Sequence, residues 1–351
     1  MAAPAEALGG SVRRPDRYRR AVTWRLVTVS WIVAVLAAPG PARASEPEPS
    51  AADIAIALAQ LRGDLHELQT ALERWRGAAF LRPVELTVRE APDEHVAGWY
   101  DTATHSLVVV PERSARFRRG TLLHELAHAL QDQRFDLAAL HARVRDDPDA
   151  AHALDALVEG EAMLAVTELM DYDFAAHARL PKQGPVDEAL FEKLFDYGDG
   201  SRFVARVRER GGWAAVDALF RDPPCASVAI LRPERDPHAV PEPLGTLPLA
   251  GRPERVGREG AYALLWRLSR EPATRGRAHA LLAGFDDDLR REVRLPDGRR
   301  RVHWDLRFDD AAAAERFLEG AAPALAAEGW SQRRRVGRDV RLARPGDGRQ
   351  P

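Results

Sequence analysis

Residues 122–133, LLHELAHALQDQ, set two histidines and a glutamate in a run with the composition of a buried helix. Leucine and alanine fill most of the remaining positions, so ionisable groups there must be paired or bound to an ion to be tolerated. His124 and His128 are four apart and share one helix face, with Cβ atoms about 5–6 Å from each other. Two imidazoles at that spacing can reach one ion, and zinc, with Zn–N distances of about 2.0–2.1 Å, suits them. Glu125 projects about 100° round the helix from His124, beside such an ion and not onto it. That is the place of a general base acting on an activated water.

A catalytic zinc site has three protein ligands and an open position, so two histidines leave it incomplete. A third histidine six residues after His128 would finish one common pattern, but Arg134 stands there. The other solution is a glutamate from the next helix, and Val158-Glu159-Gly160-Glu161-Ala162 offers it. Gly160 costs about 1 kcal/mol relative to alanine in mid-helix. A residue without Cβ makes sense where two helices approach closely over a metal.

Periodicity places the motif within an α+β chain. Leu58, Leu61, Leu65, Leu68, Leu72 and Trp75 form a narrow apolar seam, for packing onto the same domain or onto a second copy. VELTV (84–88) reads as a strand, and GWYDTATHSLVVVPE (98–112) as a hairpin stopped by Pro111. Helices are expected over 119–140 and 150–172, the second capped by Asp149, with two more inside 185–222. RPERDPHAVPEP (232–243) marks an internal boundary. Beyond it a helix (258–270), a hairpin built from 291–295 and 301–308, a helix (310–326) and a ribbon (330–343) suggest a small α+β unit. The expected division is 1–44, 45–240 and 241–351.

HELAHALQDQ followed by LVEGEA resembles the gluzincin branch of the zincin metallopeptidases, in which an EGxA-type segment completes HExxH. The resemblance implies a zincin-like domain, Zn2+ held by His124, His128 and Glu159, Glu125 as base, and Glu161 facing away. It also implies a peptide or protein substrate, aligned along the edge of the strand that precedes the active-site helix. More closely, residues 95–235 resemble a set of exported bacterial proteins that share HELxHALQDQ, ALVEGxA, GGW and SxxxILxPE segments. Here the last two are Gly211-Gly212-Trp213 and Ser227–Glu234, although ILRPERD has neither the expected histidine before proline nor the closing aromatic. Such sites need a second group for the oxyanion, and Tyr197, His152 and Tyr172 are the candidates. Ligating histidines also need acceptors for their other N–H, for which Asp132 and Asp155 are placed one turn away. Gln131 and Gln133 read as partners of nearby backbone, and His105, His141, His177 and His303 as surface residues.

The first 44 residues belong to targeting. Six arginines between Arg13 and Arg25 precede an apolar run (26–38), followed by Ala42-Arg43-Ala44, an A-x-A cleavage pattern. A run of thirteen residues is short for a bilayer of about 30 Å. The pattern is that of a signal peptide, with an uncleaved anchor as the alternative and no stable span once it is cut. Without its seven arginines and two acids, formal net charge goes from −2 to −7, which argues against a nucleic-acid partner. The single Cys225 excludes an internal disulfide and reads as a small hydrophobe. The expected activity is therefore that of an exported, periplasmic or extracellular zinc peptidase. The alternatives are a catalytically inactive envelope binding protein on the same scaffold and a metal-free helical scaffold.

Overall fold

The computed structural model describes residues 50–89, 98–109, 119–172, 174, 179–239, 244 and 252–346. The targeting segment, the end of the expected hairpin at 110–112, His177 and the last four residues of the proline-rich boundary, 240–243, lie outside them. The fold is α+β with two small sheets. No helix among the described residues is long and apolar enough to cross a membrane.

Helix α1 (Ala51–Arg76) buries Leu61, Leu68 and Leu72 against its own chain, so the leucine seam is an intramolecular contact. Strands β1 (Glu85–Val88), β2 (Gly98–Asp101) and β3 (Ser106–Val109) form a sheet ordered β1-β3-β2. β2 and β3 make the expected antiparallel hairpin, Tyr100 opposite Leu107, while β1 joins β3 in parallel. Helix α2 (Arg119–Phe135) carries the motif and is buried from Thr121 through Asp132. α1, the sheet and helix α4 (Pro148–Met170) surround it. Burial all round explains why its hydrophobic pattern is nearly continuous.

The helix expected over 119–140 is two helices. Asp136 adopts the left-handed conformation, φ 55°, and caps helix α3 (Leu137–Val144) by accepting from Ala139 N. A short polar side chain at an N-cap is the residue type that tolerates this break. α4 is capped by Asp147, not by Asp149; Asp147 Oδ1 accepts from the N–H groups of 149 and 150, and Pro148 occupies the first turn. The 185–222 stretch runs as α5 (Glu188–Lys193), a π-helical turn (Leu194–Asp199) and α6 (Gly200–Arg221), which kinks at Gly212.

Gly160 meets its close approach, but with a different helix from the one expected over the metal. A Cβ on Gly160 would lie 2.3 Å from the backbone carbon of Gly200, and one on Gly200 would lie 2.1 Å from Ala156 O. Two glycines let α4 and the start of α6 cross backbone to backbone.

After the short helix α7 (Val228–Leu231), a five-stranded antiparallel sheet follows, ordered β4-β5-β6-β8-β7. Its strands are β4 (Arg252–Gly257), β5 (Phe285–Arg294), β6 (Arg300–Phe308), β7 (Gln332–Val336) and β8 (Asp339–Pro345). β4 was not expected, and β5 begins six residues earlier than the strand expected at 291. Helix α8 (Gly260–Arg270) packs toward α4, and one apolar core takes in Leu154, Leu157 and Phe203 together with Tyr262, Leu265, Trp304 and Phe317. Whatever division falls near residue 240, this core spans it.

A buried polar joint reinforces that junction. Asp149 accepts from Ser227 N (3.0 Å) and Ser227 Oγ, and Ser227 Oγ accepts from Tyr262 N (2.8 Å). Gly260 sits at φ 79° where any Cβ would strike the Asp149 carboxylate. The segment from Ser227 thus acts as a stitch, continued by Arg232 on Asp309 and Arg235 on Asp286. Burial pushes Asp149 up to about 7 and Asp288 up to about 6. Unfolded carboxyls titrate near about 3.9, so the folded chain binds the extra proton between about pH 4 and 7. The stabilisation it brings is complete below that window and lost as pH rises through it. Thermal denaturation should therefore show the parent losing more stability from pH 5 to pH 8 than Asp149→Asn does. Equal losses in the two proteins would contradict it.

Candidate metal centre

His124, His128 and Glu159 come together as the sequence suggests. His124 Nε2 and His128 Nε2 are 3.0 Å apart, and Glu159 Oε2 lies 3.0 Å from the first and 3.3 Å from the second. The histidines come from adjacent turns of α2, and Glu159 from the facing side of α4. The two rings are nearly perpendicular, 87°, so their Nε2 atoms converge on one point instead of stacking.

This donor set fits a small divalent cation. In a tetrahedron with bonds of about 2.0–2.1 Å, neighbouring ligand atoms are separated by about 3.3 Å. The three observed separations are close to that edge. Both histidines are buried, while the Glu159 side chain is 16% exposed, so the open side of the triangle lies at the carboxylate. These three are the group among the described residues able to hold a metal ion.

Electrostatics bind the three into one unit. Burial by itself would lower the His128 pKa, but the charge and hydrogen bond of Glu159 raise it to about 9. Burial would raise Glu159, yet the two histidines hold its carboxyl well below the usual range. A carboxylate is thus stable there only because positive charge faces it. A bound cation would take over that role as the proton leaves.

Glu125 is fully buried and takes no part in the triangle. Its Oε2 accepts from the backbone N–H of Tyr100 in β2 at 2.9 Å. Within its sheet β2 is an edge strand, so the carboxylate stands between the histidine helix and that edge. Tyr197 lies in the π-helical turn, its ring 5.5 Å from that of His124. Burial, then the charges of Glu159 and Glu125, push its phenol well above 10, which keeps it a proton donor. Of the other two oxyanion candidates, His152 stacks on Tyr262 at 3.6 Å, and Tyr172 packs against the apolar cluster that also holds Tyr197.

The supporting shell differs from expectation. Asp132 accepts from Tyr100 Oη and pairs with His105 Nδ1, each at 2.8 Å, and takes up Leu137 N. Asp155 pairs with His141 Nε2 at 3.0 Å, so His141 is not a free surface residue. The acceptor facing His128 Nδ1 is instead Gln131 Oε1, at 2.9 Å. Gln131 is three residues from His128, on the histidine face of the helix, and that spacing was the available signal. His124 Nδ1 has no partner among the described residues. Glu161 faces away from the triangle and pairs with Arg76 Nε at 2.5 Å. Arg76 also pairs with Asp217 and lies 4.3 Å over the Trp213 ring, which gives the GGW segment a structural task. A groove of ≈ 1040 Å³ opens at the far end of α2 between Arg82, His105, Arg134 and Arg221; none of His124, His128 and Glu159 lines it.

No protein-family model, curated protein or solved structure matches the chain.

Proposed function

We propose that this protein is an exported zinc peptidase with a zincin-like domain, using His124, His128 and Glu159 as ligands and Glu125 as general base. The observation that carries the reading is the division of labour among four residues. Three present one donor atom each to a common point, and the fourth, next in sequence to a ligand, is turned toward the edge of β2. A metal-storage or purely structural site has no use for that fourth carboxylate, and structural zinc sites close their fourth position with another ligand.

The chemistry a zinc ion supplies in such a site is acidification of a water, to a pKa of about 7, and polarisation of the scissile carbonyl. Glu125 receives the proton of the attacking water and returns it to the leaving amine. The Tyr100 N–H bond holds one oxygen of Glu125 and so fixes the direction of the carboxylate. Tyr197, kept protonated by its surroundings and with its ring 5.5 Å from that of His124, would serve as the donor to the oxyanion. An extended peptide laid along β2 would run past Glu125.

Zinc content of the purified chain tests the reading. One equivalent is expected in the parent. Affinity in Glu159→Ala should fall by more than the ~10–100-fold typical of losing a residue that merely supports a ligand. Unchanged zinc binding in that variant would place the third ligand elsewhere and sink the assignment.

A further inference from the structure

The way Gln131 is held leads beyond the ligand set. Its Nε2 lies 2.9 Å from Val158 O, an atom that can only accept, so the amide nitrogen must face α4. Its Oε1 then faces His128 Nδ1, 2.9 Å away, and that contact is a hydrogen bond only if Nδ1 carries the proton. A histidine with its proton fixed on Nδ1 has Nε2 available as a ligand. The amide cannot flip without setting its own carbonyl oxygen against Val158 O.

Gln131 is itself pinned. Its Nε2 also lies 3.4 Å from Glu161 Oε2, and Glu161 is buried and held by Arg76 at the end of α1. Two carboxylates two residues apart on α4 therefore have opposite assignments. Glu159 meets the histidines, while Glu161 is drawn off by a guanidinium and braces the amide. Val158, Glu159 and Glu161 share one short stretch of helix, so the same segment supplies the third ligand and orients the second.

We infer that Gln131 is a positioning residue for the metal centre: it locks the His128 tautomer so that Nε2 is presented to the ion, with Val158 O, Glu161 and Arg76 fixing its amide. The inference rests on the zinc reading of the triangle, but it has a readout of its own. NMR of 15N-histidine-labelled full-length protein, without metal and at a pH where His128 has lost its second proton, should show a protected imidazole N–H at His128 Nδ1 and a bare Nε2. That proton should persist in Gln131→Glu, where a protonated carboxyl still accepts from Nδ1 and donates to Val158 O, and become exchangeable in Gln131→Leu.

Zinc affinity, measured by competition with a chromophoric chelator, should fall ~10–100-fold in Gln131→Leu. Gln131→Glu should stay closer to the parent than that. Far-ultraviolet circular dichroism of the metal-free variants checks that both are folded. Parent-like zinc affinity in a folded Gln131→Leu overturns the inference, as does a parent without a protected proton at His128 Nδ1. A parent that shows the proton but takes up no zinc overturns the zinc reading while leaving the hydrogen-bond assignment supported. Should Gln131→Leu not fold, the parent proton and Gln131→Glu still decide the question.

Discussion

Replacing Glu125 with glutamine is expected to lower peptide hydrolysis by ~10²–10⁴-fold while zinc stays bound. The substitution is nearly isosteric, and a glutamine Oε1 can accept from Tyr100 N as the carboxylate does. The fold and the donor triangle should therefore survive, since Glu125 provides none of the three ligand atoms. What disappears is the capacity to take a proton in the transition state, so kcat should fall far more than KM rises. The measurement is cleavage of a denatured protein substrate alongside zinc content. A Glu125→Gln variant that cleaves as fast as the parent would remove Glu125 from the chemistry. A parent that binds zinc and cleaves nothing would favour the envelope binding protein on the same scaffold.

The histidine pair of the donor triangle was legible because helix geometry is local. The i,i+4 spacing of His124 and His128 fixes their shared face whatever surrounds the helix. Glu159 needed more, since only tertiary packing brings α4 to α2, and there the resemblance supplied the missing link. Residues that act through others were harder to see. Asp132 was the expected acceptor at i+4 from His128, but the neighbouring hairpin captures it through Tyr100 and His105. Gln131, at i+3, fills the place because Val158 O waits opposite it. Nothing in the sequence near residue 76 signals that Arg76 reaches this network, since its partners are 85 and 141 positions away.

The same distinction runs through the fold. The hairpin, the motif helix and the C-terminal ribbon follow from alternation and turn residues. Strand β5 begins with Phe285-Asp286-Asp287-Asp288, a composition poor in strand formers. Partners remote in sequence make it possible: Asp286 meets Arg235, Asp287 meets Arg258, and Asp288 accepts from Glu259 N, Gly260 N and Trp304 Nε1. Long-range neutralisation overrides local propensity there, as it does for the charged groups buried in α2 and α4.

Arg76→Met should cost the protein ~3–5 kcal/mol, the range for removing one partner of a buried ion pair. That is a large part of a native stability of ~5–15 kcal/mol. Arg76 and Glu161 are both almost fully buried, and methionine keeps the apolar stem against Trp213 while removing the charge. Asp217 retains Arg134 at 3.0 Å, so the loss concentrates on Glu161. Burial already holds the Glu161 carboxyl above its ordinary value despite Arg76, which acts to lower it. Without the guanidinium it rises further, and the folded state then binds a proton that the unfolded state, titrating near about 4.3, releases. The deficit relative to the parent should thus be smallest in acid and grow as pH rises through the folded value. Chemical denaturation at pH 5 and pH 8 reads this directly. A second variant separates charge from packing: Arg76→Met combined with Glu161→Gln leaves no lone buried charge and should recover much of the loss. Recovery is the outcome that ties the end of α1 to the metal centre by electrostatics. A double variant no more stable than Arg76→Met alone would mean that the helix is held there by packing, and that Glu161 needs no countercharge to stay clear of the donor triangle.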